Sequence, residues 1–219
     1  MAAKVLLLGL PASGKTTLLK NLEDAYIVAV DGKDYPFEQP HTNIEEFESI
    51  SDLLNTVNEK VAAYEERFGK PPKTIAFDSV SRILTYITDC CNAKFQGFTI
   101  WTEANKQISA FVSFVNDILS ADINVVLVSH AIWSEDIGRY AEVAQGNFGK
   151  VGGFLSTVDY ASFLEVKSNK RIVHHRNPKF IARTLVDDMP DQQEVKEFNL
   201  EDYINTINNQ STKAKAWTI

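Results

Sequence analysis

The sequence predicts an α/β fold, a mainly parallel central sheet with helices on both faces and a β-hairpin towards the C-terminus. Three observations predict it. Apolar runs of strand length at residues 4–8, 26–30, 74–77 and 123–128 alternate with stretches of helical period. Within them 5–8, 26–30, 75–77 and 125–128 are unbroken apolar runs, as in strands covered on both faces. Each is followed by a turn or polar residue: Gly9, Asp31, Asp78 and His130. Ligands in such sheets gather at the carboxyl ends of the strands, so these four positions point to one shared site.

The elements follow in order. After the first strand comes a glycine-rich turn and a short helix from Lys15 to about Leu22. The second strand ends at Asp31-Gly32, and residues 33–43, with two prolines, read as loop. From 44 to 68, Phe47, Ile50, Leu53, Leu54, Val57, Val61 and Tyr64 recur on one helical face, and Gly69-Lys70-Pro71-Pro72 stops that helix. The third strand ends at Asp78. Helical patterns fill 79–96 and 101–120, with Gly97 between them. The fourth strand ends at Ser129-His130. Residues 133–157 are polar and glycine-rich and read as a mobile loop. Residues 160–166 and 171–175 form a hairpin across Ser168-Asn169, and 180–185 reads as another strand. No internal repeat is present. The division expected is a core over 1–190 and a partly flexible C-terminal segment over 191–219.

Composition narrows the function. Of 219 residues, 44% are hydrophobic and 23% charged, which is globular rather than disordered. No apolar run approaches the ~20 residues of a membrane span, and the first residues lack a secretory pattern, so a cytoplasmic protein with no membrane partner is expected. Cys90 and Cys91 are adjacent, which suits neither a disulfide nor a zinc site. The net charge is −7, yet residues 166–183 hold six Lys+Arg and no acid, a cationic island in an acidic chain.

Residues 9–16 read Gly-Leu-Pro-Ala-Ser-Gly-Lys-Thr, the G-x-x-x-x-G-K-[ST] pattern, between an apolar strand and a helix. The glycines let successive N–H groups turn into one concavity, and the helix start adds partial positive charge. Gly9, Pro11, Ala12, Ser13, Gly14, Lys15, Thr16 and Thr17 are therefore the candidate nucleotide contacts. Lys15 would reach the β- and γ-phosphates and Thr16 would ligate Mg²⁺ of a bound ATP. Asp78, closing the Ile75-Ala76-Phe77 strand, fits the Walker-B role of holding that Mg²⁺ through water; its alternative is an N-cap for the next helix. Many hydrolytic P-loop ATPases place a glutamate after this aspartate, and here Ser79 stands there. Asp31 is then the candidate general base, or a turn aspartate. His130 is placed to sense the γ-phosphate, or to cap a backbone carbonyl.

The order of these motifs resembles the RecA-like ATPases. The nearer likeness is to minimal phage members, the AAA-type P-loop proteins that include single-strand annealing recombinases of the Sak group. The stretches that carry it are VLLLGLPASGKTTLLKNL, IVAVDGKDYPF, TIAFDSVSRI, NVVLVSHAI and FIARTLVDDMP, within residues 4–190. The resemblance implies a RecA-type sheet whose Walker-B strand is not next to the P-loop strand. It implies a ring or filament with ATP at subunit interfaces, and a weak ATPase stimulated by single-stranded DNA. Residues 134–157 would face the DNA, with Trp133, Arg139, Tyr140, Phe148 and Lys150 as candidate contacts; for Tyr140 and Phe148 the alternative is packing on the core. A neighbouring subunit's cation would reach the γ-phosphate, the candidates being Lys170, Arg171, Arg176, Lys179 and Arg183; the alternative is a solvated basic hairpin. A single-strand-binding protein is a further candidate partner, through residues 205–219. Two features depart from the family. The first strand begins at once, with no oligomerisation segment expected before it, and Asp31 stands where RecA-like proteins generally place glutamate. Both bear on strand exchange more than on ATP binding.

Two other functions fit a P-loop. One is a small-molecule or nucleotide kinase, although the basic segment falls late for an arginine-rich lid. The other is an ATPase switch or loader acting on a protein partner, whose site would look the same.

Overall fold

The computed structural model describes residues 2–32, 34–143 and 146–215. In chain order the elements are β1 (Lys4–Gly9), α1 (Lys15–Leu18), β2 (Ala25–Ala29), β3 (His41–Asn43), α2 (Ile50–Phe68), β4 (Thr74–Asp78), α3 (Val80–Lys94), α4 (Phe98–Ser120), β5 (Asn124–Ser134), β6 (Arg139–Glu142), α5 (Gly146–Lys150), β7 (Tyr160–Lys167), β8 (Lys170–His174), β9 (Gln192–Glu194) and α6 (Leu200–Lys215). The sheet order is β3-β2-β4-β5-β1-β7-β8-β9, with β6 paired to β5. From β3 to β7 the pairings are parallel; β7–β8, β8–β9 and β5–β6 are antiparallel. This is the α/β architecture expected, C-terminal hairpin included. β5 lies between β1 and β4, so the strand ending in Asp78 is not next to the P-loop strand.

The continuous apolar runs bury both faces because successive strand residues point to opposite sides. Leu6 and Leu8 of β1 join Val28, Phe77, Val125 and Leu127 under α2, α3 and α4. Val5 and Leu7 join Ile27, Ala76, Val126 and Val128 against Leu18, Leu19 and the α6 residues Leu200, Tyr203, Ile204 and Ile207. Tyr203 also donates its phenol hydrogen to Thr184 Oγ1 at 2.8 Å, tying α6 to the segment that follows β8.

Several boundaries differ from the sequence reading. α2 begins at Ile50, six residues late, because Ser49 accepts the Asp52 N–H and caps the helix there; Ile44 and Phe47 enter the same core from the incoming segment. Gly69, at φ 72, closes α2. The loop 33–43 contains the edge strand β3, too short to leave a pattern. Residues 180–185 form no strand: Pro178 starts a single 3₁₀ turn, Ile181 takes φ 51, and isolated bridges join Ala161 to Arg183 and Asn177 to Ala182. Helix α6 continues to Lys215; residues 216–219 of the expected mobile tail lie outside the described residues. Cys90 and Cys91 are free thiols.

The largest correction concerns 133–157. β5 runs on past His130 to Ser134 and returns as β6, so the glycine-rich segment opens with a hairpin, followed by α5 and a 3₁₀ turn at Gly153–Thr157. A half-buried carboxyl holds it: Glu142 accepts from Ser129 Oγ and from the Leu155 N–H, both at 3.1 Å. Burial pushes its pKa up to about 7. On the β7–β8 side, His175 is buried between Ser162 Oγ at 3.0 Å and Gln193 Nε2 at 3.2 Å; burial first, then the nearby His174 and Arg176, lowers its pKa to about 4.

These two groups give opposite pH dependences. Folded Glu142 keeps its proton to about pH 7 whereas the unfolded chain releases it near 4.5, so its contribution to stability falls as pH rises through that window. Folded His175 stays neutral down to about pH 4 whereas the unfolded chain takes up a proton near 6.5, so its contribution falls as pH drops. In wild type the slopes oppose each other where the windows overlap. Glu142→Gln leaves the histidine's slope alone, and its melting temperature is expected to fall more steeply than wild type on acidification from pH 6.5 to 4.5, as read by thermal unfolding across that range.

Candidate active site

The phosphate loop follows from a close approach of two strands. Gly9 pairs with Leu164 of β7, and a Cβ at Gly9 would lie 2.4 Å from the Leu164 carbonyl oxygen and 2.8 Å from Ser13 Oγ. No side chain fits there, so the chain leaves β1 as bare backbone. Ala12 at φ 61 and Gly14 at φ 98 then turn it back into α1. Ser13 is fully buried, and its hydroxyl has no hydrogen-bond partner among the described residues. Lys15 is also buried; its ammonium donates to the carbonyls of Gly9 at 2.9 Å and Leu10 at 2.8 Å, closing the loop on itself.

The ends of β1, β2, β4 and β5 converge on this loop. A cavity of about 420 Å³ is lined by residues 11–17 together with Asp31, Asp34, Asp78, His130 and Arg171. Asp78 is the buried last residue of β4, and its Oδ2 accepts from the Thr16 hydroxyl at 2.8 Å and from the Tyr35 phenol at 3.3 Å. The capping alternative falls to its neighbour: Ser79 is the N-cap of α3, accepting the Arg82 N–H at 3.4 Å. Asp31 accepts from Ser79 Oγ at 2.8 Å, and its other oxygen lies 3.6 Å from His130 Nε2. Ser81 donates to Ser79 Oγ at 3.1 Å and accepts the His130 N–H at 3.2 Å. Asp31, Ser79, Ser81 and His130 thus form one network, with the Asp31 carboxylate facing the imidazole.

Tyr35, Ser79 and Ser81 were not singled out as contacts from the sequence. Tyr35 sits in the proline-flanked stretch read as loop. Burial, then the charge of Asp78 and the hydrogen bond to it, raises the Tyr35 pKa, so the phenol stays protonated and donates. A second cavity, of about 780 Å³, adjoins the first and shares Ala12, Thr17 and Arg171; Val166, Lys170, Glu194 and Phe198 also line it.

The other predicted residues scatter. Trp133 is 40% exposed, with its ring edge-on to Tyr140 at 5.3 Å. Tyr140 stacks on Phe180, and Phe148 packs against Phe154 at 4.9 Å, so both rings face the core and take the packing alternative. Arg139 and Lys150 are exposed and line one groove of about 310 Å³. Within the basic island, Lys170 pairs with Glu194, and Lys179 lies over the Trp133 and Phe180 rings. The Arg176 guanidinium holds the carbonyls of Met189 and Val186, and that of Arg183 holds those of Leu155 and Val158.

A family model for an AAA domain, AAA_24, matches residues 1–215. The chain belongs to this family. It is an AAA-type P-loop ATPase domain with a RecA-like strand order. No curated protein matches it. Among solved structures it is similar to a KaiC-like protein from the hyperthermophilic archaeon Pyrococcus horikoshii, with 14% identity and a TM-score of 0.47 over 78% of this chain and 77% of that one. P-loop ATPases generally use a nucleotide with Mg²⁺, and the residues present fit both. The bare-backbone turn and the unpartnered Ser13 hydroxyl suit phosphate oxygens. The Thr16–Asp78 pair suits a cation that takes its remaining ligands from phosphate and water. No group of three His, Cys, Asp or Glu side chains placed to hold a metal ion occurs among the described residues. Among the same residues no helix is long and apolar enough to cross a membrane.

Ser79 both caps α3 and orients Asp31. Ser79→Ala is expected to cost roughly 1 kcal/mol of stability as a lost cap. It should also lower ATP turnover more than ATP affinity, as read by urea unfolding alongside steady-state kinetics. Equal losses in turnover and affinity would assign Ser79 to the fold alone.

Proposed function

We propose that this P-loop ATPase domain is a DNA recombination protein of phage type, one that hydrolyses ATP, binds single-stranded DNA as a homo-oligomer and promotes strand annealing or pairing. The observation that carries the reading is the course of β5. That strand brings His130 to the phosphate cavity and, three residues on, presents the exposed Trp133 on the β5–β6 hairpin. Nucleotide state and a stacking surface therefore share one rigid element.

In this reading the phosphates lie on the main-chain amides of residues 9–17, and the nucleoside extends into the adjoining 780 Å³ cavity. Lys15 exchanges the Gly9 and Leu10 carbonyls for phosphate oxygens. Thr16 and Asp78 would hold Mg²⁺, which neutralises charge on the phosphates. Asp31, fixed by Ser79, accepts the proton of a water as its oxygen bonds to the γ-phosphorus and the bond to the leaving ADP oxygen breaks. His130, beside Asp31, reads whether that phosphate is present.

Single-stranded DNA is bound by neutralising its phosphates and stacking its bases. Arg139 and Lys150 on the shared groove supply charge, and Trp133, with the Lys179 ammonium 5.9 Å from its ring centre, supplies a stacking face. Phe148, packed inward, belongs to the core. The net charge of −7 suits an oligomer in which a few basic hairpins line one channel.

ATP hydrolysis is expected to rise when an oligothymidine is added, and molecular mass measured with ATP and the oligonucleotide is expected to exceed that of the protein alone. Hydrolysis indifferent to DNA, from a monomer, would point to a kinase or a partner-dependent switch. Arg139→Ala and Lys150→Ala should each weaken oligonucleotide binding and reduce the slope of log affinity against log salt by about 0.7. Phe148→Ala should instead lower the melting temperature and leave that slope unchanged.

A further inference from the structure

Arg171 stands apart in the basic island. The other four cations considered there have partners inside the chain, Glu194 for Lys170, main-chain carbonyls for Arg176 and Arg183, and aromatic rings for Lys179. The Arg171 side chain has no ion pair or hydrogen bond with another described residue, and it is exposed. It nevertheless lies at the phosphate loop of its own chain. Its Cδ is 3.2 Å, its Nε 3.7 Å and its Nη1 4.0 Å from where a Cβ on Gly14 would stand. It lines both the 420 Å³ phosphate cavity and the adjoining larger one, so it sits where the two meet.

The placement is built into the sheet. Arg171 pairs with Val166 in the β7–β8 ladder, and β7 pairs with β1, whose last residue, Gly9, opens the phosphate loop. Two ladders therefore fix the Arg171 backbone beside the phosphate loop, with its side chain reaching Gly14. A guanidinium matches phosphate oxygens in bidentate geometry, and such charge-assisted contacts are about twice as strong as neutral ones. An unpaired fork beside a nest of amides lacks only the anion.

We propose that Arg171 binds the polyphosphate of the nucleotide in its own subunit, acting in cis. The resemblance led to the expectation that a cation from the island reaches a neighbour's γ-phosphate, and the cis position replaces that role for Arg171. The proposal rests on the reading of residues 9–17 as an ATP site. Its consequence is that one chain supplies Lys15, Thr16, Asp78 and a guanidinium together.

The test measures binding of a fluorescent ATP analogue with Mg²⁺ to wild type, Lys15→Ala, Arg171→Ala and Arg171→Lys, with melting temperatures alongside. Arg171→Ala is expected to weaken binding roughly 10- to 100-fold at an unchanged melting temperature, and Arg171→Lys to recover part of that loss. Hydrolysis is then measured in an equimolar mixture of Lys15→Ala and Arg171→Ala. In cis no subunit in the mixture holds both groups, and activity stays at the sum of the two variants. Activity restored above that sum would show the arginine reaching across subunits and would overturn the proposal. Wild-type affinity in Arg171→Ala, with affinity lost in Lys15→Ala, would overturn it alone. Wild-type affinity in Lys15→Ala would remove the ATP site itself and the proposal with it.

Discussion

The hydrogen bond from the Thr16 hydroxyl to the Asp78 carboxylate is the contact on which the site depends, because it spans a gap in the sheet. Thr16 follows β1 and Asp78 ends β4, and β5 lies between those strands. The two residues meet because β1 and β4 end beside nearby positions of β5, His130 and Val128, and the loop after β1 folds back over them. A buried carboxylate needs donors, and Thr16 and Tyr35 provide them. The same pair is the part of the site suited to a divalent cation. What satisfies Asp78 inside the folded chain is therefore also what prepares it for chemistry.

The central strands and the phosphate loop were legible because their causes are local. Continuous apolar runs report burial on both faces, and a glycine where a side chain would meet the Leu164 carbonyl is a steric necessity. The convergence of Gly9, Asp31, Asp78 and His130 follows from parallel strands in register, with His130 level with Gly9 although β5 runs on beyond it. What the sequence hid depends on partners far along the chain. Tyr35 reaches Asp78 across 43 positions, and a phenol in a proline-flanked loop carries no periodic signal. The β5–β6 hairpin was masked by the glycines and polar residues of 133–157, since Glu142 is polar in composition yet half-buried and hydrogen-bonded in place. For Phe148 and Tyr140 the sequence left DNA contact and core packing both open, and α5 and β6 put their rings on Phe154 and Phe180.

The basic island shows the same limit from another side. Counting charge over 166–183 treats its cations as equivalent, but the fold assigns them different tasks. Arg176 and Arg183 use the fork geometry of the guanidinium to gather carbonyls at the ends of irregular segments, work that a lysine's single ammonium does poorly. Lys170 lies against an acid on the neighbouring strand's edge. Only the ladder register separates Arg171, turned to the phosphate loop, from Lys170 beside it.

The continuation of β5 past His130 has a mechanical consequence. A strand advances about 3.3 Å per residue, so Trp133 stands some 10 Å along the backbone from the imidazole. Extended chain held in a hydrogen-bonded ladder has little slack, and the pairings to β1 and β4 hold β5 in place up to His130. In the proposed function, a change at the imidazole on loss of a phosphate would therefore reach Trp133 along a short, continuous stretch of backbone. A device of that kind needs no large domain rotation to be felt at the protein surface.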